Sequence, residues 1–493
     1  MNISIIGSGI AGLASAIRLA HAGHAVDVFE SNDYPGGKMH CFEQDGFTFD
    51  GGPSLFTMPQ YVDELLKLGK TSQVFEYEKE EISCSYFWED GHSMKGYSDP
   101  ESFALEAERV FDVPKERTLK YFQHAKNIYD HSGKIFLEKS LRSSKTWFSA
   151  ATVKSLLKIS QFDIWKSMHE ANSERLKEPH LVQLFDRFAT YNGSNPYRAP
   201  GILNVIPWLE HGFGTYFPKG GMRSIPETLY RHAIDLGVTF HFNHRVESII
   251  MDQGRAIGVR ATKSKSESIK LEFSSDLIVS NSDVYFTYKH LMPGVKAPKK
   301  TLHQERSGSA VVFYWGMKTS TQNLGLHNIF FSSDYREEFK NLFEEKTLPE
   351  DPTVYVNISS KLEKNDAPNG CENWFVMINA PANEGQNWDG LIVELRAQVI
   401  KKLSRMLKME IGALIETERI WSPLGIEADT NSFKGALYGT SSNDKFSAFL
   451  RHPNQGSIPN VYFCGGSVHP GGGIPLALLS AKITSEIIAK DVN

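Results

Sequence analysis

The spacing of apolar positions changes along the chain from a period of two to a period near 3.6 and back, and each change predicts an element. Residues 2–6 (NISII) are a short apolar run rich in β-branched side chains, which predicts a strand. Residues 13–22 carry alanine and leucine at helical spacing, Gly23 ends that helix, and residues 25–29 (AVDVF) alternate as a second strand. Phe47 and Phe49 flank Thr48 as a strand before the rigid turn Asp50-Gly51-Gly52-Pro53. Residues 61–68 then read as a short amphipathic helix, and residues 74–88 alternate as strands of a second sheet. From Pro100 helical spacing dominates, with Pro114 at a helix start and Leu119, Phe122, Ile128 and Tyr129 on one face, continuing past Phe136 and Leu141.

Strands return afterwards. Lys219-Gly220-Gly221-Met222 starts a helix through His232, and residues 238–242, 245–251, 256–260 and 277–280 read as strands that return to the domain of the first two strands. Residues 310–315, 328–332 and 353–358 extend the second sheet, and residues 391–406 form an amphipathic helix with Lys401, Lys402 and Arg405 near its C-terminal end, as the helix dipole prefers. A last strand over residues 460–464 meets a glycine-rich turn, Gly465 to Pro475, and a helix over residues 476–490.

Two of these junctions carry chemistry. Gly7-Ser8-Gly9-Ile10-Ala11-Gly12 is a G-x-G-x-x-G between a strand and a helix. Gly7 permits the tight turn, Gly9 lets a pyrophosphate approach the backbone, and Gly12 lets the helix pack against the strand. The helix N-terminus then faces the phosphates. Glu30, which closes the second strand, suits the ribose hydroxyls, and Gly36-Gly37-Lys38 adds a second phosphate-side turn with a cation. The C-terminal glycine turn aims another helix N-terminus at an electron-rich group.

Composition narrows the class. With 493 residues the chain allows roughly three domain-sized units. A net charge of −5 argues against general nucleic-acid binding. Four cysteines, Cys41, Cys84, Cys371 and Cys464, form no C-x-x-C and no His/Cys set at metal spacing, so neither a disulfide framework nor a metal centre is expected, and a reducing cytoplasm fits. No signal peptide is expected, since Asn2 already starts a strand, and no apolar stretch reaches the ~18 residues of a membrane span.

Between Lys139 and Met168, Lys139, Arg142, Lys145, Lys154, Lys158 and Lys166 interleave with Trp147, Phe148, Leu156, Leu157, Phe162, Ile164 and Trp165. This pattern predicts a basic amphipathic cap helix that packs on the core or, for a lipid substrate, lies on a membrane surface. No catalytic triad, carboxylate pair or metal set is visible. Asp50, Glu210 and His469 fall near the motifs, and a structural role is the preferred reading of each, so the proton acceptor is left unassigned.

With both glycine turns, GFTFDGGPS at residues 46–54 and GSVHPGGGIPLALLSAKIT near the C-terminus, the chain resembles the FAD-containing amine oxidase and phytoene desaturase superfamily. Blocks LHNIFFSSDYREEF and Asp366-Ala367-Pro368-Asn369-Gly370 make it most similar to bacterial-type carotenoid desaturases. The resemblance implies an α/β fold with a Rossmann-type FAD-binding domain, a mixed-sheet substrate domain and a helical cap. The expected segments are residues 1–70, 215–295 and 456–493 for FAD, 71–110 and 296–455 for the substrate domain, and 111–214 for the cap. FAD would be bound by Gly7, Gly9, Ala11, Gly12, Glu30, Gly37, Lys38, Ser54, Leu55, Val246 (adenine, through its backbone), Asn281, Gly466, Gly473 and Ile474. Lys38 stands where many relatives have arginine, giving a point charge in place of a bidentate fork.

The resemblance further implies an apolar carotenoid substrate, quinone or oxygen as electron acceptor, and a cytoplasmic, peripherally membrane-associated enzyme. Gly435-Ala436-Leu437-Tyr438-Gly439 looks closer to the hydroxycarotenoid 3,4-desaturases than to phytoene desaturases. Phytoene desaturation, carotene isomerisation and amine- or protoporphyrinogen-type oxidation are the alternatives within the fold. A non-enzymatic prenyl- or lipid-binding protein is the alternative outside catalysis.

Overall fold

The computed structural model of the chain describes residues 1–133, 137–140, 152, 155, 158, 161–263 and 270–492. Five parallel strands form the first sheet: β1 (Asn2–Ile6), β2 (Ala25–Phe29), β3 (Thr239–His241), β4 (Leu277–Ser280) and β5 (Val461–Phe463), in the order β3-β2-β1-β4-β5. All four residues of β4 are buried and apolar residues continue through β1, because both faces are covered. On one face lie α1 (Ile10–His21), α2 (Ser224–Asp235) and α3 (Ile474–Val492), with α1 packed against both others. Leu13, Ile17, Ile225, Leu229 and Leu478 fill that layer. On the other face an antiparallel sheet of His244–Asp252, Arg255–Lys263 and Lys270–Ser274 packs Val246, Ile249 and Val259 against Ile6, Phe29 and Ile278.

A seven-stranded mixed sheet forms the second body, in the order Ile415–Trp421, Ser309–Met317, Glu372–Ala380, Val354–Asn357, His327–Phe330, Ile82–Phe87, Ser93–Tyr97. Its one parallel pairing joins His327–Phe330 to Ile82–Phe87. Every residue of Ser309–Met317 is buried, and helix Trp388–Leu407 closes one face over Trp315, Trp374 and Val376. Each such aromatic stabilises the fold by roughly 2–3 kcal/mol through burial alone. Helices Lys115–Ile128, Met168–Leu176 and Pro179–Asp186 form the cap and pack with helix Pro100–Phe111 around Phe103, Tyr121, Phe122 and Phe185.

Three local differences from the pattern have physical reasons. The helix after Lys219 begins only at Ser224, because Gly220 and Gly221 take positive φ (84° and 79°) and cannot lie inside a helix. Of the alternating run at residues 74–88, Tyr77–Lys79 joins Phe56–Thr57 and Thr215–Pro218 in a separate small sheet, and Ile82–Phe87 alone enters the mixed sheet. The expected cap helix over residues 139–168 does not run through Phe162–Lys166, which is a turn with Asp163 at φ 51°, and the helix starts at Met168 behind a Ser167/Glu170 capping box. Phe136, Leu141, Arg142, Lys145, Trp147, Phe148, Lys154, Leu156 and Leu157 lie outside the described residues. Among the described residues no helix is long and apolar enough to cross a membrane.

Candidate functional site

The first glycine turn joins β1 to α1 with Gly7 at φ 92°. Helix α1 starts at Gly9 with no side-chain cap and no acid in its first turn, leaving its first N–H groups for an outside acceptor. A Cβ on Gly12 would lie 2.1 Å from the Gly7 carbonyl oxygen, so that position accepts no side chain, and one on Gly9 would lie 2.9 Å from Asn281 Nδ2, which would have to shift. Gly36 donates its N–H to the Ser8 carbonyl (2.9 Å), and a Cβ on Gly37 would come within 3.3 Å of the Gly9 Cα. Ala11 is buried in the first turn of α1. The two turns therefore form one cradle of bare backbone.

Glu30 is 5% exposed and organises the rim of the cradle. Its Oε2 accepts from the Ser8 N–H and Oγ (both 2.8 Å), and its Oε1 accepts from the Asn32 N–H and side-chain amide (both 3.0 Å) and from Ser31 Oγ (3.2 Å). Asn281 donates from Nδ2 to the Gly7 carbonyl (3.3 Å), and a Cβ on Gly465 would sit 2.7 Å from its Oδ1. Asn281 thus ties the N-terminal cradle to the C-terminal glycine turn. In that turn Gly466 lies against Gly472, Gly473 is exposed at φ 101°, and Ile474 opens α3 from a buried position. Val246 is buried under β1 and β2 on the neighbouring antiparallel strand.

Lys38 Nζ donates to the Leu437 carbonyl (3.3 Å), and burial pulls its pKa down to about 8. Arg451, which the sequence pattern did not single out, donates to the carbonyls of Tyr438 (2.9 Å), Gly466 (3.2 Å) and Thr440 (2.8 Å). Burial draws its pKa to about 10, still a cation at neutral pH. Two cations therefore converge on residues 437–440, where a Cβ on Gly439 would lie 2.7 Å from the Ser467 Cα and one on Gly472 would lie 2.6 Å from Tyr438. The sole signal for this segment was its glycine-tyrosine pattern.

Ser54 and Leu55 lead into Phe56–Thr57, and Ser54 faces the second sheet, bonded to the Tyr355 hydroxyl (2.7 Å). Tyr355 in turn meets His327 Nδ1 (2.7 Å), which also accepts from Asn357 Nδ2 (3.2 Å). Burial lowers His327 to about 4, so its ring is neutral and the chain runs as donors from Ser54 to Tyr355 to His327. These partners, scattered over the chain, carried no local signal.

The three motif-proximal acid and base candidates sit apart. Asp50 accepts the Met222 N–H (3.2 Å), and burial raises its carboxyl to about 6. Glu210 is buried beneath the cap and accepts from Tyr191 (2.6 Å) and Ser83; burial pushes its pKa up, but His211, Arg187 and these donors outweigh it and leave it lowered. His469 donates from Nε2 to the Lys139 carbonyl (2.9 Å), with burial lowering it to about 4.

A glycine cradle at the edge of a parallel sheet, answered by a second glycine turn and a mixed-sheet body under a helical cap, defines a dinucleotide-dependent oxidoreductase. The chain belongs to the family of flavin containing amine oxidoreductases, whose model matches residues 10–489. It is 49% identical over 98% of both chains to a 1-hydroxycarotenoid 3,4-desaturase of Flavobacterium sp. (strain P99-3). It is 30% identical to a phytoene desaturase of Fusarium fujikuroi, covering 99% of this chain and 89% of that one. An oxidoreductase structure from Methanosarcina mazei shares the fold at a TM-score of 0.63 and 15% identity, over 99% of this chain and all of that one. The protein is an FAD-dependent oxidoreductase, and the uncapped start of α1 over bare glycine backbone fits the pyrophosphate of FAD.

Proposed function

We propose that this enzyme is a carotenoid desaturase that introduces the 3,4 double bond into a 1-hydroxylated carotenoid. The observation that carries this reading is the 49% identity, over nearly all of both chains, to a 1-hydroxycarotenoid 3,4-desaturase. In the reaction one C–H bond gives up a hydride, the neighbouring C–H bond gives up a proton, and the freed pair of electrons closes the C=C bond. FAD, when bound, accepts the hydride. Delocalisation of the developing cation along the polyene lowers the demand for a strong base.

The chain's own residues bind and orient. Gly7, Gly9, Ala11, Gly12 and Gly37 take the pyrophosphate on backbone, and Glu30 takes the ribose hydroxyls in exchange for its side-chain donors. Val246 would meet the adenine with Asn281 near the same face, Gly466, Gly473 and Ile474 would hold the ring end, and Ser54 and Leu55 would lie on the substrate side. Lys38 would meet the pyrophosphate as a point charge, and Arg451, bonded to the Gly466 carbonyl, would with the N-terminus of α3 place positive charge beside the ring end. The segments 1–70, 215–295 and 456–493 form the FAD-binding domain, 71–110 and 296–455 the substrate domain, and 111–214 the cap.

A substrate dissolved in lipid calls for a membrane surface, with quinone or oxygen taking up the electrons afterwards. Trp165 is 68% exposed with Lys445 Nζ 4.9 Å over its ring, and Phe446 next to Lys445 is 52% exposed, a basic-aromatic patch of the kind that lies in an interface. Loss of liposome binding on changing Trp165 and Phe446 to serine supports this surface; unchanged binding removes it. The activity is tested by expression in cells that make a 1-hydroxylated carotenoid. A red-shifted product two hydrogens lighter is expected. Activity on phytoene alone would replace the substrate assignment, and a flavin-loaded protein silent on both would end it.

A further inference from the structure

Sequence spacing offers no metal set, yet the fold gathers one at the edge of the second sheet. Asp90 and His92 lie in the turn between Ile82–Phe87 and Ser93–Tyr97, where Gly91 at φ 93° closes the loop. His180 comes from the cap helix Pro179–Asp186. One Asp90 oxygen stands 2.7 Å from His180 Nε2 and the other 3.0 Å from His92 Nδ1, and the three ligand atoms fall within 4.8 Å of one another.

From this geometry we propose that Asp90, His92 and His180 bind a zinc ion that fastens the substrate sheet to the cap. A tetrahedral zinc holds its ligands at ~2.0–2.2 Å and spaces them about 3.3 Å apart; the two Asp90–imidazole contacts, at 2.7 and 3.0 Å, would open toward that spacing, and all three ligand atoms already lie within 4.8 Å of one another. Two imidazoles and a carboxylate select a borderline transition metal over magnesium or calcium. The second shell is already present: Glu178 accepts from His180 Nδ1 (2.7 Å), which directs Nε2 at the ion, and Glu178 is itself fixed by the Leu181 N–H (2.7 Å).

Packing holds the ligands in place without metal. Phe111 stacks on His180 (5.0 Å, 11°) and lies 5.6 Å from His92, while Trp88 meets His180 edge-on (5.2 Å, 90°). Asp90 and His92 are nearly half exposed, which leaves an entry path and room for a water as fourth ligand. The same residues could instead form an ion-pair cluster, one carboxylate shared by two imidazolium rings. Zinc competes with that arrangement because it replaces two protons.

The test uses the full-length, FAD-loaded protein with any affinity tag removed, stripped with EDTA and titrated with zinc chloride in a calorimeter. One equivalent should bind and raise the Tm, magnesium chloride should do neither, and both effects should vanish in His180→Asn and in His92→Asn. The exposed His92 position keeps the test valid if His180→Asn fails to fold. Glu178→Gln should weaken zinc binding about tenfold without changing its stoichiometry. The proposal is overturned if the wild-type protein binds no stoichiometric zinc, or if His92→Asn binds zinc as the wild type does.

Discussion

At the start of α1 the first backbone N–H groups meet no side-chain cap, whereas under the cap buried side chains bond to one another. There Arg187 donates to the hydroxyls of Tyr191 (3.1 Å) and Tyr86 (3.2 Å), and Tyr191 hands on to Glu210 (2.6 Å). The arginine also lies over the rings of Phe188 and Tyr191 at 4.8 and 5.0 Å. The cradle leaves backbone donors open for a ligand, whereas the cap cluster bonds largely within itself, with Arg187 Nε and His211 Nε2 among its unpartnered atoms. Changes in the cradle should therefore act on FAD affinity and changes in the cluster on stability.

The sharpest way to break that division is Arg187→Met. Removing the cation takes from Glu210, 1% exposed, one of the charges that keep it ionised and strips the Tyr86 and Tyr191 hydroxyls of their shared donor; breaking such a buried network costs about 3–5 kcal/mol. Urea unfolding of the holoenzyme should show this loss while the flavin spectrum of the folded protein stays intact. A variant as stable as the wild type would mean that Tyr191, Ser83 and His211 carry Glu210 without Arg187.

Gly12→Ala probes the other side. With its Cβ aimed 2.1 Å from a backbone oxygen, α1 must move off β1, and FAD affinity should fall at least 100-fold, about 2.7 kcal/mol. Flavin retained through gel filtration at wild-type stoichiometry would contradict the close packing assigned to this glycine.

The same contrast explains what could be read from the sequence. Gly7, Gly9, Gly12, Glu30 and Gly37 lie within one strand-helix-strand unit, so the motif and the geometry coincide. Arg187, Glu210, His327 and Tyr355 meet only through the packing of two sheets and four helices, and no spacing announces them. Strands Glu372–Ala380 and Ile415–Trp421 were missed for a related reason. The first is buried almost throughout and does not alternate, and the second mixes charged edge positions with core ones. Lys38 is expected at the pyrophosphate from its place in the motif; its bond to the Leu437 carbonyl, nearly four hundred residues away, carries no local signal.

Asp50 lies between the two regimes, a buried carboxyl with one oxygen on the Met222 N–H and the other, Oδ1, without a partner. Its pKa is raised by burial from 3.8 to about 6. The native state therefore holds its proton more tightly than the unfolded chain. Stability from this group is full below pH ~4 and is lost as pH rises through 6. Asp50→Asn keeps an acceptor for Met222 and removes the charge, so it should stabilise the protein by about 2 kcal/mol at pH 8 and hardly at all at pH 4. Equal unfolding midpoints at pH 8 would mean that Arg223 neutralises the carboxylate.

Glu30→Gln should give the smallest effect and the most local one. A glutamine keeps the shape of the side chain but has a single acceptor oxygen, so either the Ser8 or the Asn32 backbone N–H must face an amide NH2. The turn would still close, because Gly36 holds Ser8 through its carbonyl independently of Glu30. The cost falls on the ribose contact and on one rim hydrogen bond, about 1.4 kcal/mol or a tenfold faster release of FAD, followed by the rise in flavin fluorescence on dilution. Unfolding of the variant should match the wild type once both are saturated with FAD. A loss of stability at saturation would show that Glu30 belongs with the self-bonded cluster under the cap, and the division between a cradle built for its ligand and a core built for itself would fail at its best-defined residue.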